Sequence, residues 1–559
     1  MTRLREPDAR VARLAFLGVV VAAGVVLVYE NRDMWFGGDE WFVITDRGVT
    51  TGPGRQGALE PFNEHWTTLP ILAFRALYAV VGLQSYWPYV ALVIVAHLVA
   101  VVMLWLLMLR ARIDDWVAVA ACAVFAVLGI GSENLLTAWQ VTLVASLAFG
   151  LAALVVAPAT GRFGWRDVAA SVLLVAALAS SGVGLPLLLV FAVVSFVQRG
   201  WWVTAATAAA PVVAYGAWYL AYGSDAERIA DPALGEVPAF VWRGLADALG
   251  DVARFEVLGP LVVVATSVWL VVHLVRRPID RNLLVPGALA LGAVVFLAST
   301  GYRRANLPGT DAAGSRYAYI TVGLVLPLVA MASQGLFRGD AVRRGALVVI
   351  TAVLVVGQVR VLDHAAEVAA PGKESDRGAM LATAALVREG RGPFVHQSPL
   401  HPFEPQVTVD EIVAMDRDGK LPSLDGATAR DRLTVLARLE LALRPDPVVA
   451  PAPGTTVALG PVTGATVRRS PTETGCVDVD ARDDNELVLR ASAPTTVRVR
   501  GADGLARVWL RDEERGVDGE AVAAVLEPGA EQVLSLADIE GAVVLSLPPG
   551  PGITLCGVG

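Results

Sequence analysis

The sequence predicts a polytopic α-helical membrane protein with about eleven transmembrane helices, followed by an extracytoplasmic mixed α/β region ending in a β-sandwich. Composition is the first reason. The 559 residues are 55% hydrophobic and only 18% charged, and mean hydropathy is +0.57, far from a soluble globule. The second is spacing: apolar runs close to the roughly 20 residues that cross a bilayer recur as far as residue 360. The third is that beyond residue 360 those runs stop, and short β-type runs between Gly, Pro and Asp turns take over.

The expected spans are 11–29, 88–109, 116–131, 134–157, 167–181, 184–198, 201–221, 256–275, 283–300, 317–336 and 344–360. The first, Val11–Tyr29, lacks a small-residue cleavage site and is expected to stay as a signal anchor. The fifth and sixth are short and separated by Ser180–Pro186 (SSGVGLP). They read either as two spans or as one broken pair lining a cavity, the place where irregular backbone is tolerated at membrane depth. Residues Thr67–Leu83 are apolar but short, with Pro70 near the start and Arg75 inside. They are expected to lie on the outer leaflet as an interfacial helix.

Arginines set the orientation. With the N-terminus cytoplasmic, Arg3, Arg5, Arg10 and Arg13 fall inside, as do Arg110, Arg112, Arg162, Arg166 and Arg199. Arg276, Arg277, Arg281, Arg338, Arg343 and Arg344 follow the same alternation. Outside lie 30–87, the turn at Glu133, 222–255, 301–316 and everything after 360. A multi-pass protein of the cell's inner or plasma membrane is expected.

Three regions follow: a transmembrane domain over 1–360, a helical and loop region over 361–453, and a β-sandwich over 454–559. In the second, Met380–Arg388 and Thr428–Leu443 look helical, Ser398–Pro405 is a Pro-rich loop, and Pro445–Pro453 reads as a stiff linker. Cys122 sits in an apolar run and is expected to be inert packing. Cys476 and Cys556 are the candidate disulfide if their region is extracytoplasmic.

Several functions lose support. The net charge of −8 argues against nucleic acid as a partner. No P-loop, no H-E-x-x-H, no G-x-S-x-G and no EF-hand loop occurs.

The polar residues expected outside fall into three groups. Trp35–Phe42 (WFGGDEWF) carries the adjacent carboxylates Asp39 and Glu40, flanked by aromatics suited to the headgroup level and preceded by two glycines. A carboxylate at that depth suits a general base for a substrate held in the membrane, although a solvated loop acid is the commoner fate of a single Asp. Farther along the same loop lie Asn63, Glu64 and His65. Ser132–Gln140 (SENLLTAWQ) offers Glu133, Asn134 and Gln140. Glu133 is a functional candidate by its depth, and Asn134 equally an N-cap. The segment before the tenth span holds Tyr302, Arg303, Arg304, Arg316 and Tyr317. Arginines placed outside oppose the positive-inside bias, and their planar forks suit phosphate oxygens; pairing with nearby acids is the equal alternative. His97 and His273 have no evident partner in the sequence.

This arrangement resembles the GT-C superfamily of integral-membrane glycosyltransferases over nearly the whole chain. The local likeness lies in Asp39-Glu40 just after the first span, in Phe62–Trp66 (FNEHW) and in Ser132–Gln140. The C-terminal region is similar to the carbohydrate-binding β-modules of cell-envelope arabinosyl- and mannosyltransferases. The resemblance implies sugar transfer from a polyprenyl-phosphate donor to a cell-wall glycan, polysaccharide or glycolipid acceptor at the outer face, with inversion. It implies Asp39 as general base and Glu40 as its partner, orienting the acceptor or, with Asp39, holding a divalent cation such as Mg or Mn. Arg303, Arg304 and Arg316 would then offset charge on the leaving phosphate. The competing readings are a flippase or transporter of lipid-linked sugars, which the scarcity of charges within the spans disfavours, and an envelope-assembly scaffold, for which eleven spans are excessive.

Overall fold

The structure is a computed structural model, and it describes residues 6–47, 57–226, 231, 233–277, 280–339, 341–390, 399–401, 404–440, 443–444, 457–471, 473–491, 495–501, 503–526, 531–536 and 541–558. It divides into two units, one of Met1–Val80 with Tyr86–Lys373 and one of Val81–Ser85 with Glu374–Gly559.

The first unit is helical. Its elements are α1 (Glu6–Glu30), α2 (Asp39–Asp46), α3 (Thr68–Val81), α4 (Trp87–Arg110), α5 (Asp115–Ala126), α6 (Ser132–Leu136), α7 (Val141–Val156) and α8 (Trp165–Leu178). After them come α9 (Gly184–Arg199), α10 (Trp201–Ala221), α11 (Val237–Ala253), α12 (Leu258–Arg276), α13 (Leu284–Arg304), α14 (Ser315–Phe337) and α15 (Ala341–Arg388), whose residues from Glu374 on belong to the second unit.

Every expected span falls on a helix. Among the described residues eight helices are long and apolar enough to cross a bilayer, and the bent pair Asp115–Ala126 with Gly129–Leu136 makes a ninth. The two remaining segments fold as α8 and α9, of 14 and 16 residues. Val21, Val25, Val213, Leu220, Val271 and Val275 are exposed along the spans, as lipid-facing side chains should be. The chain is a multi-pass membrane protein. At 14 residues, α3 reaches only ~21 Å, short of the ~30 Å hydrocarbon core. Its Pro70, Ile71, Phe74 and Tyr78 are buried on one side, and Arg75 donates to the Arg47 carbonyl at 2.6 Å.

The bent pair accounts for the buried polar residues His97 and Gln358. Where the helix breaks after Ala126, backbone groups lose their i→i−4 partners and must find others at membrane depth. His97 Nε2 lies 3.0 Å from the Ala126 carbonyl while its Nδ1 meets Tyr319 Oη at 2.8 Å. That pairing requires the Nε2–H tautomer, with Tyr319 donating to Nδ1. Gln358 Oε1 accepts from the Ile130 amide at 3.1 Å, and its Nε2 donates to the Asp251 and Val252 carbonyls. Ser315 Oγ accepts from the Glu133 amide at 3.0 Å, and Tyr86 Oη from the Ala138 amide at 2.7 Å. His97 thus has structural partners far away in sequence. His273, the other unassigned histidine, contacts Asp280 at 3.0 Å.

Boundaries differ from expectation at two places: the third span runs on through the bent pair to Leu136, so that the fourth starts at Ala138, and the final helix is longer than its apolar run. The helix that carries the last expected span does not end near residue 360 but continues to Arg388, through Pro371. The sequence around Pro371, AAEVAAPG followed by GAMLATAA, is rich in alanine, the best helix former. Pro371 is itself exposed, so the one bond it forfeits lies at the surface.

The second unit holds β1 (Pro399–His401), β2 (Glu404–Thr408), α16 (Val409–Arg417) and α17 (Ala429–Glu440). Its strands continue with β3 (Leu443–Arg444), β4 (Ala458–Arg469), β5 (Cys476–Arg490), β6 (Thr495–Arg500), β7 (Gly504–Asp512) and β8 (Val517–Asp518), then β9 (Val522–Leu526), β10 (Gln532–Leu536), β11 (Ala542–Ser546) and β12 (Gly550–Cys556). The first two strands form a hairpin, and the other ten form one sheet ordered β3-β10-β6-β12-β5-β11-β7-β8, with β4 on β5 and β9 on β7. Strand β5 is shared, its first half pairing with β12 and its second with β11. The sheet parts there into two lobes. Val497, Val499, Leu534 and Leu555 of one lobe and Ala506, Val508, Leu510 and Leu545 of the other enter one buried core. That is sandwich packing with the period-2 alternation of half-buried strands. The expected linker Pro445–Pro453 lies outside the described residues.

Candidate active site

A cavity of about 330 Å³ opens in the helical unit, and Asp39, Asn63, Glu64, His65, Gln140, Arg303, Arg304, Arg316 and Tyr317 all stand on its wall. Segments hundreds of residues apart in sequence supply them.

Asp39 arrives on a tight turn. Gly38 adopts φ 57 and ψ −127, a conformation open to glycine and strained for other residues. The chain then enters α2, whose first turn holds Asp39 and Glu40, where the amide ends favour anions. Consecutive helical residues point ~100° apart, so the two carboxylates part company. Asp39 stays part-exposed on the cavity wall. Glu40 turns inward and is 0% exposed. Its Oε2 accepts from the Gly37 amide at 2.9 Å, and its Oε1 from Tyr86 Oη at 2.8 Å and the Trp139 amide at 3.2 Å. Burial pushes the Glu40 carboxyl up, against the opposing pull of Lys373, Tyr86 and the Gly37 and Trp139 amides. Burial and Glu40 together push the Tyr86 phenol up.

This geometry bears on the divalent cation. Both Glu40 oxygens are committed to internal donors, and Asp39 faces the Arg316 guanidinium at 3.4 Å. Among the described residues no third His, Cys, Asp or Glu joins Asp39 and Glu40 at metal-binding distance. The set that does converge among the described residues, Glu473, Cys476 and Cys556, has both sulfurs in a disulfide. Asp39 and Glu40 therefore do not fit a shared metal ion.

The loop Phe62–His65 enters through a narrow turn closed by Phe62 N–His65 O at 3.0 Å and His65 N–Phe62 O at 2.9 Å. Asn63, at φ 52, takes the left-handed position that Asn tolerates. Behind the turn Phe62 packs edge-on against Trp139, and Trp139 against Phe74. Burial and the nearby Arg304 and Arg303 lower His65 to about 4, so it is a neutral ring at physiological pH. The unfolded chain binds a proton here near pH 6.5, while the folded one resists until about pH 4. Stability is therefore lost as pH falls between those values. In melting scans at pH 7 and pH 4.5, His65→Asn is expected to lose less of its melting temperature than wild type.

The arginines are not equivalent. Arg303 pairs with Glu64 at 2.9 Å. Arg316 bridges Asp39 and Glu133, the latter bond being its closest. Arg304 meets only the Tyr317 hydroxyl, at 3.3 Å, and no carboxylate pairs with it among the described residues. Glu133 stands off the cavity wall and reaches it through Arg316. Asn134 is buried and anchors the start of α14, donating to the Ser315 and Arg316 carbonyls at 3.1 and 3.4 Å. Tyr302 is not on the wall, because Phe296, Ser299, Thr300, Arg303 and Arg304 form the cavity-facing stripe of α13 and residue 302 falls beside it.

The cavity also takes side chains that the sequence reading missed: Thr142, Ser181, Tyr215, Tyr219, Ser299 and Thr300. Ser299 and Thr300 were legible as the upward continuation of the Arg303–Arg304 face. The tyrosines of α10 carry no local signal, since aromatics are ordinary at span ends.

No family model and no curated protein matches this chain. Among solved structures it is similar to ArnT from Cupriavidus metallidurans bound to undecaprenyl phosphate, at 14% identity and a TM-score of 0.45, covering 76% of this chain and 95% of that one. It is also similar to the apo state of the same protein, at 16% identity and a TM-score of 0.43, covering 73% and 89%.

Proposed function

We propose that this protein is an integral-membrane glycosyltransferase that moves a single sugar from a polyprenyl-phosphate donor to an envelope glycan or glycolipid at the outer face of the plasma membrane. The observation that carries the reading is the meeting of Asp39 with Arg303, Arg304 and Arg316 on one small cavity. A base on one wall and cations on another are what displacement at a glycosyl phosphate requires. At about 330 Å³ the cavity is at the small end for ligand pockets, which favours one sugar on its phosphate over an oligosaccharide. Its neutral polar lining, with Gln140, Thr142, Ser181, Ser299 and Thr300, suits sugar hydroxyls.

In this reading the acceptor oxygen attacks the anomeric carbon while the bond from that carbon to the phosphate oxygen breaks, inverting the centre. The acceptor proton passes to the Asp39 carboxylate, and polyprenyl phosphate leaves with the bonding pair. Arg316 fixes the direction of Asp39 through its ion pair. Arg304, free of any carboxylate among the described residues, receives the phosphate with the Tyr317 hydroxyl beside it. Glu40 acts from the core as the strut of the Asp39 turn and does not touch substrate.

The test is transfer by purified protein in nanodiscs from a panel of polyprenyl-phosphate monosaccharides. Transfer from at least one supports the reading, and none across the panel removes it. Arg304→Ala is expected to raise the donor KM about tenfold to a hundredfold, the worth of one charge-assisted contact or two. Arg303→Ala, which also frees Glu64, should raise it less. An unchanged donor KM in Arg304→Ala moves the phosphate site elsewhere.

A further inference from the structure

The turn that delivers Asp39 is held from behind by a residue of the last long helix. Lys373 is one of only two lysines in the chain, whose other basic residues apart from histidine are arginines. It lies on α15, about 20 Å past Arg360 at the rise of an α-helix. Its ammonium rests in the notch left by the missing side chain of Gly37, since a Cβ there would fall 1.9 Å from Lys373 Nζ. The Gly37 amide donates to Glu40 Oε2, so the ammonium, the glycine backbone and the buried carboxylate stack in order. Lys373 is also the cation that acts most strongly on Glu40. On the far side Tyr86 Oη and the Trp139 amide complete the cage. A carboxylate that is 0% exposed is costly unless donors and positive charge offset it; its three hydrogen bonds supply the donors, and the nearby positive charge comes from α15.

We propose that Lys373 is a positioning residue which, through Gly37 and Glu40, fixes the turn that aims Asp39 into the cavity. The proposal rests on the reading of Asp39 as the base. It explains why two glycines precede the acidic pair: Gly38 supplies the backbone angle, and Gly37 supplies the room for the ammonium. It also explains why α15 continues beyond its apolar run instead of ending near residue 360.

The experiment uses the full chain in nanodiscs, with two readouts. Lys373→Met is expected to lower kcat about tenfold to a hundredfold, the cost of a base misplaced by an ångström or so, with the donor KM within twofold of wild type. Lys373→Arg, which keeps the charge, should restore most of kcat. Gly37→Ala should mimic Lys373→Met by evicting the ammonium, and the double variant should be no worse than either single one. Hydrogen exchange of the segment 35–42 should quicken in Lys373→Met while the rest of the helical unit is unchanged. Wild-type kcat and exchange in Lys373→Met, or strictly additive losses in the double variant, overturn the proposal. If Asp39→Asn proves active, the base assignment fails, and the exchange readout still decides whether Lys373 holds the turn.

Discussion

Asp39→Asn lowers the rate of sugar transfer about a hundredfold to ten-thousandfold, the usual worth of a positioned general base, while donor binding and melting temperature stay close to wild type. The amide keeps the shape of the side chain and cannot take the acceptor proton. Folding is spared because Asp39 stands on the cavity wall and is part-exposed, with the work of holding the turn assigned to Glu40. Glu40→Gln should therefore behave differently, losing stability as well as rate, since a buried acceptor of three hydrogen bonds becomes in part a donor facing donors. Initial rates and thermal melts on the two purified variants separate the roles. Near-normal turnover in Asp39→Asn removes Asp39 from the chemistry.

Cys476→Ser destabilises the β-region by about 3 to 4.5 kcal/mol on the chain-entropy account. The Cys476–Cys556 bond joins the first residue of β5 to the last residue of β12 and closes a loop of sequence separation 80. Those strands pair in register and feed the shared core, so the bond secures the outer end of the β5–β12 ladder, away from the point where the lobes part. For a region of about this size the loss corresponds to a drop of more than about 10 °C in melting temperature. Calorimetry of the full chain with and without reductant checks it. Wild type should fall to the level of the variant when reduced, and the variant should not respond. Equal melting of wild type and variant under oxidising conditions contradicts the assignment.

Much of the architecture was legible because hydrophobic runs and strand alternation are local signals. Each expected span lies on a helix, and the β-type runs Ala506–Leu510 and Val543–Leu547 fall on strands β7 and β11. The full length of α15 was not legible because the apolar run ends near residue 360, whereas the helix continues on alanine propensity. The break after Ala126 could not be seen, since the groups that make it affordable, His97, Gln358 and Tyr86, lie far off in the chain.

The cavity residues were legible where chemistry and spacing coincide, as with Asp39 and the Arg303–Arg304 pair on one helix face. Adjacency misled for Glu40: neighbours in sequence diverge on a helix, so a two-acid motif delivers one carboxylate to the cavity and one to the core. The difference among the three arginines was invisible for the same kind of reason. It depends on Glu64 and Glu133, which approach from other segments and leave Arg304 alone without a carboxylate among the described residues.

A cryo-EM structure in nanodiscs with polyprenyl phosphate added shows whether donor phosphate and Asp39 share one cavity. Phosphate density is expected within hydrogen-bonding reach of Arg304 and the Tyr317 hydroxyl, in the same cavity as the Asp39 carboxylate, with the lipid chain leaving toward the bilayer. Phosphate bound away from that cavity, or on the opposite side of the membrane from Asp39, contradicts the shared site.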